Sequence, residues 1–355
     1  MRCGILIISS LVLLLPSCSQ KSMEEGVPVK DIPFSSFGRS DRALTKYDKS
    51  MNTIVLSDGG HQDCIQSSVS KVLCSEDRIL VLDGIQNSVV AYDNNGQAIA
   101  KIGIRGRGPQ EYVQISDFSV TADSGVVLLD GNKDALLFYD NEYRFSRKQK
   151  NRHDFSRLTS VGVDRYLMNI STWDQSGDFD FNVLLCDENQ KEIAHFIRNN
   201  KQQDPNFEFP YVGFSPADGG KRFFLKPIDD NVYMFAGPEL ETIYHFDFGA
   251  KRIKEEYRSE VEKNMEEISA GTFLINTVWI SGDNCIGMLF DKGNFVSFYA
   301  DMKHKTWTEI TDLGYFMGVS DGRAIFYQMD APGSEGAPVL NMLDTKGITD
   351  GRHDH

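Results

Sequence analysis

Apolar and polar positions follow one repeated phrase along this chain. A short apolar run is followed by a tight turn, then by a second apolar run ending in Asp, then by a more polar run. The run ending in Asp reads VVAYD (Asp93), ALLFYD (Asp140), NVLLCD (Asp187), TIYHFD (Asp247), FVSFYAD (Asp301) and VLNMLD (Asp344), at spacings of 47, 47, 60, 54 and 43 residues. A helical solenoid would need a 3.6-residue period, which these runs lack. Units of ~40–50 residues match propeller blades of four strands. The expected fold is all-β: a six-bladed β-propeller with four antiparallel strands per blade.

The pattern places blade one at Ile65–Leu73, Arg78–Asp83, Ser88–Asp93 and Gln97–Ile102. Blade two falls at Ile115–Thr121, Val126–Asp130, Ala135–Asp140 and Tyr143–Lys148, and blade three at Leu158–Val163, Tyr166–Ser171, Phe181–Asp187 and Glu192–Ile197. Blade five falls at Thr272–Ile280, Cys285–Phe290, Phe295–Ala300 and Thr306–Ile310. RILVLD and SVVAYD are almost continuously apolar, as expected of strands covered on both faces by neighbouring sheets. The fourth strands, RFSRKQK, KEIAHFI, KRIKEEY and KTWTEIT, are much richer in charge. Lysine suits an outermost strand because it blocks edge-to-edge pairing.

Blade six offers Tyr315–Val319, Ala324–Met329 and Val339–Leu343 and then lacks a fourth strand. Asn52–Leu56, reading NTIVL, has no other place, so it is expected to close the ring as the outer strand of that blade. Two insertions interrupt the repeat. Residues 198–220 carry Phe207, Phe209, Tyr211 and Phe214, either packed on a blade or forming a stacking platform for sugar or peptide. Residues 258–271 read as a surface helix, with capping-box spacing at Ser259 and Glu262, a stripe of Val261, Met265 and Ile268, and Gly271 as the stop.

The N-terminus adds a targeting signal. Arg2 precedes an apolar run, Ile5–Leu15, too short to span a bilayer. It ends in Leu15-Pro16-Ser17-Cys18, which resembles a bacterial lipobox with Cys18 as the lipidated residue. The expected organisation is a lipoprotein signal peptide at 1–17, a tether and N-terminal segment at 18–50, the propeller at 51–346 and a C-terminal tail at 347–355. The pair Glu24-Glu25 in the tether is similar to an acidic surface-export tag of Bacteroidetes lipoproteins. A net charge of −14 excludes nucleic acid as a partner, since such binding rests on clustered Lys and Arg. Cys64, Cys74, Cys186 and Cys285 show no CxxC spacing and read as buried thiols rather than a zinc site or disulfides.

The most informative stretch runs from Ile102 to Val120, IGIRGRGPQEYVQISDFSV. Gly103, Gly106, Gly108, Pro109, Glu111 and Tyr112 follow a G-x-x-G-x-GP-x-EY pattern ahead of the Ile115–Thr121 strand. With these residues the chain resembles the six-bladed β-propeller lipoproteins of Bacteroidetes, which are themselves similar to NHL-repeat propellers. The resemblance implies the fold and an envelope location. The stretch is no phosphate loop, having neither GxxxxGK nor a following helix. Arg105, Arg107, Glu111, Tyr112 and Asp117 are the candidate ligand-binding residues, because loops entering innermost strands surround a propeller's central channel.

The expected role is a lipid-anchored, monomeric envelope protein that binds or scaffolds a glycan, a peptide or another envelope protein, without a cofactor. It would sit on the outer membrane or its periplasmic face. The alternative is a metal-dependent, lactonase-like hydrolase or lyase, with calcium in the channel and Asp117 and Asp164 as contributors. Thr121–Gly125 partly resembles a sialidase Asp-box but reads as a β-turn. The seven histidines are scattered singly, with His353 and His355 in the tail, and no catalytic residues can be named.

Overall fold

A computed structural model describes residues 24–40, 51–61, 64, 67–75, 77–171, 180–198, 204, 213–226, 228–329 and 331–346. The signal segment, Cys18, the tail 347–355 and the aromatics Phe207, Phe209 and Tyr211 lie outside them.

Three short strands precede the first blade: β1 (Val29–Ile32), β2 (Gly38–Arg39) and β3 (Met51–Val55). Blade one is β4 (Lys71–Cys74), β5 (Ile79–Asp83), β6 (Ser88–Tyr92) and β7 (Ala98–Ile102). Blade two is β8 (Ile115–Val120), β9 (Val126–Asp130), β10 (Ala135–Tyr139) and β11 (Phe145–Lys150). Blade three is β12 (Phe155–Gly162), β13 (Arg165–Ile170), β14 (Phe181–Asp187) and β15 (Glu192–Arg198). The middle strands β5, β6, β9 and β10 are buried at every residue, which is why their sequences are apolar without alternation.

Blade four holds β16 (Lys221–Leu225), β17 (Asn231–Ala236) and β18 (Glu239–Phe246). Blade five holds β19 (Thr272–Ser281), β20 (Asn284–Asp291), β21 (Asn294–Asp301) and β22 (Thr306–Ile310). Blade six holds β23 (Tyr315–Ser320), β24 (Arg323–Gln328) and β25 (Val339–Asp344). One apolar cluster fills the blade one–two interface, others fill two–three and three–four, a large one spans blades four to six, and one joins six to one. The core is therefore a closed ring.

The closing strand is where the sequence places it. β3 pairs antiparallel with β25, Ile54 opposite Leu340 and Val55 opposite Val339. Beyond it, Ser57 bridges to Gln97 at the head of β7, so the same segment fastens blade six to blade one. Gly96 (φ +82°) has no room for a side chain, since a Cβ there would collide with the Val55 carbonyl.

Blade four corrects the expected phase. KRIKEEY is not its outer strand: residues 249–251 make a 3-10 turn and Glu255–Arg258 a helical turn, α1. Instead β1 runs parallel to β18, and β2 runs parallel to β22 in blade five. At the other edge, Gly213–Asp218 runs antiparallel to β16, bridged at Phe214–Phe224 and Asp218–Lys221. It occupies the innermost position, with Pro216 against Gly318 of blade six and Asp218 accepting from Trp279 Nε1 of blade five at 2.8 Å. TIYHFD is thus a fourth strand, and the 60-residue spacing before it reflects this shift. The insertion helix is also shorter than expected: after α1 only α2 (Met265–Ala270) forms, without a side-chain cap, and Gly271 N–H bonds Ile268 O. Val261 and Ile268 are buried as the stripe requires, while Met265 is 36% exposed.

All four cysteines within the described residues are free thiols. Burial pushes the Cys74 and Cys186 thiols up to about 12, so they behave as core residues rather than nucleophiles. No helix among the described residues is long and apolar enough to cross a membrane.

Candidate functional site

Each innermost strand is entered by a loop from the previous blade's outer strand. Two of these loops are gripped by an Asp-Gly pair at the end of the same blade's second strand. The fully buried Asp83 carboxylate accepts from Ser67 N (2.5 Å), Ser68 N (3.0 Å) and Ser68 Oγ (2.7 Å). Burial opposes its ionisation, but these bonds hold it below the usual carboxylate range. Asp130 accepts in the same way from Val113 N (2.9 Å) and Gln114 N (3.2 Å). Buried acceptors of this kind are stable because every lone pair finds a donor.

The second of these loops is the glycine-rich stretch. Glu111 Oε2 accepts from Gly108 N at 2.6 Å, which folds the Gly106–Glu111 turn back on itself. Lys133 Nζ, from the β9–β10 turn, donates to the carbonyls of Gly106 (3.2 Å), Gly108 (3.3 Å) and Glu111 (2.9 Å). Gly103 (φ +76°) lies against Tyr139 and Tyr112 with no space for a Cβ. Tyr112 itself is 0% exposed, packed between blades one and two, and burial pushes its hydroxyl up to about 12. Arg105 and Arg107 are exposed, with Arg105 Nε donating to Val113 O at 3.3 Å. Of the five candidate residues, the loop therefore presents the two arginines to solvent, turns Glu111 inward on its own backbone, and buries Tyr112 in the core.

Asp117 sits on the wall of the channel. Its Oδ1 accepts from Lys71 Nζ of blade one (2.7 Å) and Phe118 N (2.8 Å), and its Oδ2 from Leu158 N of blade three (2.8 Å). One carboxylate thus ties three blades together. Lys71 is buried as deeply, and its Nζ also donates to Phe118 O at 3.0 Å. Burial pulls the Lys71 ammonium below its ordinary value, Asp117 pulls the other way, and the positive charges of Arg157 and Arg222 add to the fall. Those two arginines therefore lie within electrostatic reach of Lys71.

Arg157 stands on β12 and Arg222 on β16, both half-buried. Arg222 Nε donates to Thr159 Oγ1 across the blade three–four interface at 3.0 Å, and Arg222 Nη1 donates to Gly220 O at 3.3 Å. Arg157 Nη1 donates to Ser156 O at 2.7 Å. Lys71, Arg157 and Arg222 were not among the candidates. Lys71 and Arg157 stand on innermost strands (SKVLC, SRLTS) and Arg222 on the strand next to one (KRFFL), and only the closed ring brings the two arginines near Lys71.

The other sequence candidates fall elsewhere. Asp164 (φ +52°) is exposed in the β12–β13 turn. Thr121–Gly125 is the β8–β9 turn, closed by Thr121 N to Gly125 O at 2.9 Å. Phe214 is fully buried against Phe224 and Phe235, so it packs on a blade. Among the described residues no cluster of His, Cys, Asp and Glu has the makings of a metal site.

Residues 61–333 match the family described as Domain of unknown function (DUF4934). No protein with a curated description matches the sequence. Among solved structures, the chain is similar to a candidate exported protein of Bacteroides fragilis, at 14% identity and a TM-score of 0.67, over 88% of this chain and 99% of that one. It is also similar to a DUF4221 family member from Bacteroides vulgatus, at 9% identity and a TM-score of 0.53, over 82% and 95% of the two chains. At these identities the likeness is one of fold.

Proposed function

The chain belongs to the DUF4934 family, and from that premise we propose that it is a binding or scaffolding module of the cell envelope rather than an enzyme. The observation that carries this reading is the state of Asp117. A lactonase-like site would need channel carboxylates free to ligate a cation, and this one has both oxygens engaged, by Lys71 and by two backbone N–H groups. The polar side chains around it are cations and hydroxyls, suited to holding a ligand. A screen of the full chain against glycan and peptide arrays, run beside a calcium-supplemented lactone hydrolysis assay, tests the reading. Saturable binding without turnover is expected. Calcium-dependent hydrolysis lost in Asp117→Asn would overturn it.

Arg105 and Arg107, exposed on the loop that enters blade two, are the outer ligand contacts in this reading. Replacing both with Ala should leave the melting temperature nearly unchanged, since exposed substitutions are usually within ±0.5 kcal/mol. Affinity for an acidic glycan or peptide should fall. A lower melting temperature with unaltered affinity would reduce the loop to architecture.

In this reading the envelope address rests on the Ile5–Leu15 run and the Leu15–Cys18 lipobox, and the chain would be a lipid-anchored propeller similar to the NHL-like lipoproteins of Bacteroidetes. Cys18→Ser should move the protein from the membrane to the soluble fraction. Equal fractionation of both forms, with no lipid label on the parent, would remove the anchor.

A further inference from the structure

We propose that the central channel holds an oxyanion, the carboxylate, phosphate or sulfate group of a bound ligand, between Arg157 and Arg222 beside Thr159. This rests on the reading of the propeller as a binding module and names the chemistry that module recognises.

The argument starts from charge. In a chain of net charge −14, Arg157 of blade three and Arg222 of blade four each lie within electrostatic reach of Lys71 of blade one, and Arg222 is bonded to Thr159 on the same strand as Arg157. The carboxylate among them, Asp117, is committed to Lys71 at 2.7 Å. Asp218, on the inner strand beside β16, is turned away to Trp279 Nε1 (2.8 Å) and Gly322 N (3.1 Å). No carboxylate among the described residues is bonded to Arg222, whose value is pulled down to about 10 by burial alone. An Arg side chain still stays charged at neutral pH, and an anion beside it would offset the part of its desolvation that Thr159, Gly220 and solvent do not.

The geometry leaves the position open to one. Lys71 is 5% exposed and out of reach, whereas both arginines are half-buried and touch solvent. Arg222 is steadied by Thr159 Oγ1 and Gly220 O through Nε and Nη1, a fixed fork of the kind that reads planar oxyanions. Gly213 (φ +77°) packs directly on the Arg157 side-chain stem, where a Cβ would meet Cγ at 2.7 Å. The innermost strand of blade four therefore holds Arg157 in place and walls the position on one side. Thr159, two residues from Arg157 on the same strand, supplies a hydroxyl to the same place.

The test is isothermal titration of the full chain with inorganic phosphate and with sulfate, chloride serving as the reference ion, together with melting in each salt. Saturable binding of phosphate or sulfate is expected, with a rise in melting temperature that chloride does not produce. Arg222→Gln and Arg157→Gln should each weaken it at least tenfold, and Arg222→Lys, which keeps the charge but not the fork, by less. Arg144→Gln, on an exposed outer hairpin, should change nothing. Melting of each variant in anion-free buffer checks folding, and Arg222→Gln should melt close to the parent, the lost bonds to Thr159 and Gly220 being offset by removal of a partly desolvated charge. No saturable heat with the parent, or affinity within twofold of the parent in both Gln variants, would overturn the inference. If that happens while glycan or peptide binding persists, the anion site alone fails and the binding module stands.

Discussion

Removing residues 1–56 should abolish the stable monomer, whereas removing residues 1–40 should lower its stability but leave the ring closed. The shorter deletion takes away β1 and β2, which border blades four and five along single parallel edges, and with them Ile32, Phe34 and Phe37, buried in the cluster of blades four to six. The longer one also takes β3, the strand that closes the ring. Ile54 and Leu56 are each 3% exposed, in the cluster that joins blade six to blade one. Their burial contributes roughly 1.5–3 kcal/mol apiece, a large part of a typical 5–15 kcal/mol total. Losing β3 also bares the β25 edge, which invites pairing with other chains. Size-exclusion chromatography and thermal melting check this. Aggregation confined to the longer deletion is the expected result, and a longer deletion that melts like the parent would show that closure is built otherwise.

The second large effect is at the wall of the channel. Lys71→Met should destabilise the protein by about 3–5 kcal/mol, the usual consequence of leaving one member of a buried ion pair alone. Asp117→Leu should cost more, because it strands the Leu158 N–H as well as the Lys71 ammonium. Denaturant unfolding of the two variants decides the order. Equal and small losses would mean that Asp117 is not the three-blade tie described above.

Much of this fold is legible in the sequence because propeller blades bury their middle strands completely. The continuous apolar runs of β5, β6, β9 and β10 admit few alternatives, and NTIVL is placed by the gap it fills. Blade four misleads for a physical reason. Asp247 closes a turn by accepting from Gly249 N at 2.8 Å, much as Asp93 accepts from Asn95 N at 2.9 Å. The two strand ends therefore read alike although they occupy different places in their blades. Its true inner strand, Gly213–Asp218, contains Gly213 and Pro216 and is followed by two glycines, so it lacks an apolar run altogether. The candidate site divides in the same way. The glycine-rich loop announces itself by local spacing. The channel cations belong to three blades separated by 86 and 65 residues, and no local pattern marks a residue whose neighbours are supplied by ring closure.

The most direct measurement of the central claim is anomalous diffraction from crystals of the protein grown with selenate. A selenium peak whose selenate oxygens lie within hydrogen-bonding distance of the Arg222 guanidinium, between blades three and four and absent from crystals of Arg222→Gln, is the predicted result. A channel without selenium, in crystals whose surface lysines and arginines do bind it, would contradict the account.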